Sequence, residues 1–513
     1  MNHDNNSSLH NVSASSNNST GRTLRPKKVS AKNLYTVTSD EDEDEVLEET
    51  EDEVEWNVDD PAIINNCDTV ESVISSGASS EDEQVKVTLP KTALRSKWSK
   101  MLAPKRNKNN LAESSNETNH WVREEIVVPN QEPVTIPAPD EDLRDPYAYF
   151  QYFFDDSLLE SIVTYSNSYS IWKDGSERNL NLTKTELQQF LGVWMYMGVN
   201  TLPGIRDFWA ADTLVNQVAS IMSFNRFQKI RSHLHFFDKS QEAFLPAGDR
   251  FAKVGLILDH MKKKCNDLDQ EKYYSIDETM VPYKGKFAWA LRQFIRNKPH
   301  RFGIKIFNLA GTSGIVYDFL PYAGSETFRG IEFSPEEEAL GVGAKVVLSL
   351  ARSIHDPANK SVFFDNYFAS VKLVRHLKDN MHLLSTGTVR NNRIDHCPLI
   401  SDKELKSKGR GAYDFKSSDG VQVTKWMDNK IVHLVSSLSG AGPEGTAKRY
   451  DKASKRRINV PIPHVIQLYN NKMGGVDLSD MLVEILRSPT KARRSQCICV
   501  YDGPGCCKFM ALL

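Results

Sequence analysis

The chain lacks a long apolar run. Its longest, Phe190 to Val199, is ten residues, about half of what a helix needs to cross a bilayer. The opening stretch, MNHDNNSSLHNVSASSNNST, has no apolar core of the kind a secretory signal requires. Cysteine is sparse: seven in 513 residues, four of them within the last seventeen. That excludes a disulfide-built secreted domain and points to a reducing, intracellular compartment. The spacings Cys497-x-Cys499 and Cys506-Cys507 are not paired C-x-x-C units, so no zinc site is expected. There is no phosphate-cradling glycine loop and no Ser/His/Asp order that suits a covalent nucleophile. The thirteen histidines read as ordinary surface or core residues.

Aromatics are also scarce over residues 1–140, which are rich in Ser, Asn, Glu and Asp. Such a composition cannot bury enough apolar surface to offset chain entropy, and predicts a disordered N-terminal region. The formal net charge of -3 hides an asymmetry: residues 40–55, DEDEDEVLEETEDEVE, carry twelve acids and no base. Residues 91–108, KTALRSKWSKMLAPKRNK, are basic. The acidic run reads as a solvated tail or a docking site for a basic partner protein, the basic stretch as a nuclear address or a DNA-binding arm.

From Asp145 the texture becomes that of a folded protein. Tyr147, Phe150, Phe154, Leu158 and Ile162 recur at helical spacing and predict one amphipathic helix. Thr183-Lys184-Thr185-Glu186 is a capping-box pattern opening a second helix through Leu187, Leu191 and Trp194. A third, NRFQKIRSHLHFF, carries Arg226, Lys229 and Arg231 beside an apolar face, and a fourth spans Asp249 to about Lys263. Residues 141–270 are thus a helical domain whose basic residues either contact DNA or form a solvated face. Then the period switches to two. Tyr273 to Ile276 reads as a short strand ending at Asp277, and Ile304–Ala310 with Ile315–Leu320 as a hairpin across Gly311-Thr312-Ser313-Gly314. A helix from Glu337 to about Ile354, a strand Ser361–Phe364 ending at Asp365, and a helix from about Phe368 to Lys378 follow. Between 391 and 452 the texture is β again, with turns at Asp419-Gly420 and Asp428-Asn429, and it reads as an insertion separate from the sheet. The segment PHVIQLYNNKMGGVDLSDMLVEIL is helical, with Asp477 and Asp480 on one face.

A carboxylate at the end of a buried strand is costly unless something pairs with it. Strand ends in one sheet lie ~5 Å apart, so Asp277 and Asp365 would repel unless one took a proton or a cation lay between them. Mg²⁺ suits such hard oxygen donors. A third acid from the Asp477/Asp480 helix would complete a two-metal site of the kind that serves in-line phosphoryl displacement. The alternative is that each aspartate caps the turn or helix after it, with Asp365 the better candidate.

The blocks SIDETMVPYKGK, FIRNKPHRFGIKIF, VFFDNYFAS, STGTVRNN and YNNKMGGVDLSDM occur in an order and at spacings that resemble the piggyBac family of cut-and-paste transposases. The resemblance covers Asp145 to Arg494. It implies a mixed α+β / α/β architecture: an RNase H-like catalytic domain of the DDE/D kind (271–390 and 453–494), interrupted by a β-rich insertion (391–452) and preceded by a helical dimerisation and DNA-binding domain (141–270). It implies Asp277, Asp365 and Asp477 as catalytic and metal-binding acids, with Asp480 as a further metal-site acid and Mg²⁺ (or Mn²⁺) as cofactor. The implied chemistry is metal-dependent hydrolysis at the ends of a transposable element, followed by attack of the freed 3′ hydroxyl and joining at TTAA. The implied partners are double-stranded DNA and a second copy of the chain, and the implied place is the nucleus. Phosphate contacts are expected from Arg296, Lys298, Arg301, Lys305 and Arg390, with Lys284 and Lys286 nearby and KRYDKASKRR as a DNA contact or nuclear signal. Past Arg494 the tail SQCICVYDGPGCCKFMALL (495–513) departs from the family pattern of aromatic-rich helices and a cysteine-rich zinc module. It reads as a shifted frame, a splice variant or a decayed copy. That departure sets the alternative: a catalytically inactive, C-terminally truncated element-derived protein that binds DNA or chromatin.

Overall fold

The computed structural model describes residues 120–126 and 145–486, apart from 247–248, 283–290, 296–297, 299 and 453. The acidic run, the basic stretch 91–108 and the 495–513 tail lie outside the described residues. The chain begins its helical part with α1 (Pro146–Phe153) and α2 (Asp156–Asp174). The single helix expected over 147–162 is therefore broken. Asp155 causes the break: its side chain accepts from Leu158 N–H at 3.0 Å and starts a new helix. Phe150, Phe154, Leu158 and Ile162 stay buried on both sides of it. Helix α3 (Lys184–Val199) opens as predicted, with Thr183 Oγ1 accepting from Glu186 N–H at 3.2 Å. Glu186 does not close a capping box, because its carboxylate is held by Arg226.

Short α4 (Asn216–Ala219) leads to α5 (Phe224–His233), the basic helix of the sequence reading. Its cations are engaged within the domain. Arg226 pairs with Glu186, Lys229 Nζ donates to Arg178 O and Asn179 O at 3.2 and 3.0 Å, and Arg231 lies 5.9 Å over the Trp194 ring. Helix α6 (Gly255–Asn266) starts later than Asp249, because Asp249 and the 3₁₀ turn Ala252–Val254 form a separate entry loop. The helices bury one core that continues into Ala310, Val316 and Phe319.

The sheet follows. Its strands are β1 (Tyr273–Pro282), β2 (Arg292–Phe294), β3 (Phe302–Gly311) and β4 (Val316–Pro321), then β5 (Ser361–Phe364) after helices α7 (Pro335–Glu338) and α8 (Val342–Ala351). The predicted helix 337–354 is split at Gly341, whose φ of 86° no helix accommodates. Helix α9 (Val371–Asn380) and β6 (Leu384–Thr388) come next. The hairpin turn stands as expected: Gly311 N–H donates to Ile315 O at 2.9 Å and Gly314 takes a φ of 88°. Strands β4, β3 and β1 are antiparallel neighbours, while β1, β5 and β6 run parallel. This antiparallel-then-parallel order, with a helix between the parallel strands, is the RNase H-like arrangement that the resemblance implied.

After α10 (Asp402–Ser407) come β7 (Tyr413–Ser418), β8 (Val421–Met427) and β9 (Ile431–Ser436). Here the structure corrects the sequence reading. These strands are not separate from the sheet but extend it, through antiparallel pairing of Thr386 with Ser436, Gly387 with Val435 and Thr388 with Leu434. The open edge of β6 supplies the ladder, and the Thr386 and Ser436 hydroxyls join across it at 2.7 Å. Among the described residues only β10 (Gly445–Asp451) and β11 (Arg456–Ile462) form a ribbon of their own. A second correction concerns residues 120–126, which fall in the region predicted to be disordered. Val122 pairs with Ser417 on the edge strand β7, and Glu125 accepts from Ala441 and Gly442 N–H, each at 3.0 Å. An unpaired strand edge carries open N–H and C=O groups, and this segment satisfies part of it.

The chain returns as α11 (His464–Lys472) and α12 (Gly475–Leu486). Tyr274 and Ile276 of β1, with Val362 and Phe364 of β5, point into the core shared with α8 and α9. Alternation turns Ser275, Asp277 and Thr279 to the opposite face. There α12 docks, with Val476 N–H donating to Ser275 Oγ at 3.1 Å. The approach is close enough to require glycine at its start: a Cβ on Gly475 would lie 2.3 Å from Gly311 O and 2.7 Å from Ser275 Oγ. Gly475→Ala is accordingly expected to lower the urea-unfolding stability by about 1–3 kcal/mol. Gly192→Ala, in exposed helix with nothing within 4 Å of a Cβ, should be neutral or stabilising by up to about 1 kcal/mol. Equal stability of the Gly475 variant and the parent would contradict this docking.

Candidate metal centre

The register of β1 on β5 builds the site. Tyr273 pairs with Ser361 and so on up to Ile276 with Phe364, so the next residue on each chain is an aspartate, Asp277 or Asp365. Sequence reasoning placed Asp277 at the end of a strand. The structure corrects that: β1 runs on to Pro282, and what ends beside Asp277 is its parallel partner β5. Nor does Asp365 cap the following helix. Ser370 caps α9, while Asp365 Oδ1 accepts from Tyr367 N–H at 2.8 Å in its own tight turn. The helix-capping alternative thus fails for Asp365, while its capping of the turn that follows is borne out.

Helix α12 brings the other acids. Asp480 Oδ1 accepts from Thr279 Oγ1 at 2.8 Å, and that hydroxyl accepts from Asn308 Nδ2 at 2.8 Å. This chain of bonds ties Asp480 to β1 and β3, one turn along from Asp477. Asp277, Asp365 and Asp480 are half-buried and Asp477 is exposed, so the cluster opens to solvent on one side.

These carboxylates share one field. Burial raises Asp277 well above the usual range; Lys298 opposes this, and Glu278, Asp365 and Asp477 add to it. Asp365 is pushed up to about 6, chiefly by burial and then by Glu278, against the Tyr367 N–H, Lys298 and Arg390. Asp477, though its surface is exposed, is raised first by the water it loses to the surrounding protein and then by Asp480 and Glu278, with Lys298 opposing. Lys298, predicted as a phosphate contact, is the internal cation of the cluster. Its Nζ donates to Glu278 O at 2.9 Å, and burial, which disfavours its charge, is outweighed by Asp277, Glu278, Asp477 and Asp480.

The other predicted DNA contacts are dispersed. Lys305 lies against aromatic faces, its Nζ 5.1, 5.0 and 5.3 Å from the rings of Phe307, Tyr322 and Tyr367. Arg301 is exposed. Arg390 is exposed and donates to Asn366 Oδ1 at 3.3 Å, beside Asp365. Arg296, Lys284 and Lys286 lie outside the described residues.

Sequence reasoning missed three residues here. Arg393 donates to Tyr367 O at 2.7 Å and to Asn366 O at 3.3 Å, clasping the turn that carries Asp365. Glu278 adds a fifth acid, from the SIDE block. Tyr469 is buried, and its hydroxyl is raised first by burial and then by Asp365, with smaller pushes from Asp277 and Asp477. The signal for Tyr469 was its place at the head of the YNNKMGGVD block, but at helical spacing it reads as core.

A divalent cation fits this donor set, because hard carboxylate oxygens in excess of a single lysine are what Mg²⁺ or Mn²⁺ prefers. Among the described residues no three His, Cys, Asp or Glu side chains already stand in metal-holding geometry. The raised aspartates also have a consequence for stability. A folded-state value of about 6 at Asp365 against about 4 in an unfolded chain means that the native state binds the proton more tightly between those values. Stability of the metal-free chain relative to Asp365→Asn should therefore fall as pH rises through that window, leaving the Asn variant the more stable at neutral pH. Urea unfolding in EDTA measures it, and a variant less stable than the parent at neutral pH would contradict the assignment.

Comparison with known proteins bears on the family and the fold. The family model described as Transposase IS4 matches residues 145–501. Human piggyBac transposable element-derived protein 3 is 34% identical over 386 residues, covering 73% of this chain and 62% of that protein. Human piggyBac transposable element-derived protein 2 is 33% identical over 353 residues, covering 66% and 57%. The chain thus spans about three-fifths of the length of these relatives. A solved piggyBac transposase, in a synaptic complex with hairpin DNA, superposes with a TM-score of 0.59 at 23% identity, over 72% of this chain and 75% of that one; this likeness bears on the fold. The ordered sequence blocks, the sheet order and these matches together make the chain a member of the piggyBac transposase family.

Proposed function

We propose that this chain cuts and joins DNA, by metal-dependent strand cleavage and strand transfer at TTAA-flanked element ends. The observation that carries this reading is the register that sets Asp277 beside Asp365 at the end of β5, with α12, which bears Asp477, docked on the same face through Ser275 and Thr279. Under this reading the three aspartates hold Mg²⁺ or Mn²⁺, and Asp480, tied to Thr279, supports the site from the next turn. The bound ion would supply Lewis-acid stabilisation of a phosphoryl centre and a more acidic attacking hydroxyl. The protein residues do the rest. Arg393 fixes the backbone of 366–367 and so the aim of Asp365. Arg390, exposed at the same turn, is placed to meet a phosphate, and Lys298 balances part of the acid charge from within. The partner is duplex DNA and the compartment is the nucleus, where such a substrate lies.

A second reading rests on Lys298. Because its ammonium lies among the acids, the cluster has a cation of its own, which suits a non-catalytic DNA- or chromatin-binding descendant of a transposase. Incubation of the chain with TTAA-flanked ends and Mg²⁺ or Mn²⁺ separates the two. The enzyme reading predicts nicks that need the metal and vanish in Asp365→Ala. Nicks that are absent, or the same in that variant, would remove it, and duplex binding without nicking would support the second reading.

A further inference from the structure

The described residues of the basic segment KRYDKASKRR lie at the tip of the β10–β11 ribbon, and its two strands divide its cations by face. Facing pairs in an antiparallel ribbon share a side. Thr446 with Pro461, Lys448 with Asn459 and Tyr450 with Arg457 form one side, and all six are exposed. Val460 and Arg449 lie on the other side and are buried. That buried side is pinned to the sheet: Arg449 Nε donates to Asp428 Oδ2 at 3.0 Å, Trp426 Nε1 donates to Pro461 O at 3.0 Å, and Arg410 joins Asp428 as well. At the tip Lys452, Lys455 and Arg456 are exposed. The acid of the ribbon, Asp451, faces the other way and accepts from Ser454 N–H at 2.8 Å.

We infer that this ribbon is an arm that grips the backbone of duplex DNA. The inference rests on the reading that the chain acts on DNA and adds where the duplex is held away from the carboxylates. A rigid two-stranded ribbon about 20 Å long, at ~3.4 Å per residue, has dimensions that a DNA groove admits. Its outward side offers Lys448 and Arg457 to phosphates and the hydroxyl and amide of Tyr450 and Asn459 as donors. A linear nuclear address would need the same cations on one free extended strand, whereas here their backbones are committed to the ladder over 445–451 and 456–462.

The test measures affinity of the full chain for a labelled duplex across a series of KCl concentrations in EDTA, so that cleavage plays no part. The exposed double variant Lys448→Ala/Arg457→Ala should bind more weakly, with the slope of log affinity on log salt shallower by about 2. Lys403→Ala/Lys406→Ala, which removes the same charge from exposed α10, should keep the parent slope. A parent that fails to bind the duplex, a ribbon variant with the parent slope, or an equal change in both variants would overturn the inference. Loss of nicking with this binding result intact would sink the enzyme reading and leave the arm standing.

Discussion

Like-charge repulsion at the open end of the β1–β5 pair is the constraint on which the site depends. Two unit charges ~5 Å apart repel by about 3 kcal/mol at an effective dielectric near 20, and a third and fourth carboxylate add to that. A chain gains no stability from such a grouping by itself. The parallel register that seats Ile276 opposite Phe364 makes the first two acids neighbours whatever the rest of the protein does. Lys298, set among these acids, offsets part of the charge and not all of it. The surplus is the physical reason to expect a divalent cation, and it adds to the upward shifts that burial causes at Asp277, Asp365 and Asp477.

The rest of the architecture holds the acids in place. Gly475 lets α12 begin against the β3–β4 hairpin, Ser275 receives its first amide, and the Asn308–Thr279–Asp480 chain locks its next turn. Arg393 and the Asp365 turn hold the opposite wall. Because the helical core runs without a break into Ala310, Val316 and Phe319, the helices brace the same hairpin on which α12 rests.

Much of this was legible in the sequence for identifiable reasons. Period-two apolar runs located β1, β3, β4 and β5, and a charge at the point where a buried run stops is conspicuous. What the residues could not convey was long-range pairing. Nothing in 413–436 distinguishes strands that extend a sheet from strands that stand apart; that depends on the free edge of β6. The docking of 120–126 on β7 escaped because a seven-residue segment with one bridge has no period to read. Lys298 and Lys305 show the same limit for side chains. Both read as cations available to phosphates, and the fold sends one among the acids and lays the other on three aromatic rings. Tyr469 was hidden by its own helix, where a buried tyrosine resembles any core residue.

The most direct test of the central claim is calorimetric titration of the metal-free chain with Mn²⁺ at neutral pH. Single Asn replacements of Asp277, Asp365 and Asp477 would be compared with Glu404→Gln on exposed α10. If the three acids form one cation site, each Asn variant binds Mn²⁺ more weakly by tenfold or more, on the order of what lost metal-site residues cost, and the Gln variant binds like the parent. If the aspartate variants titrate like the parent, or one alone differs, the three acids do not act together and the account fails.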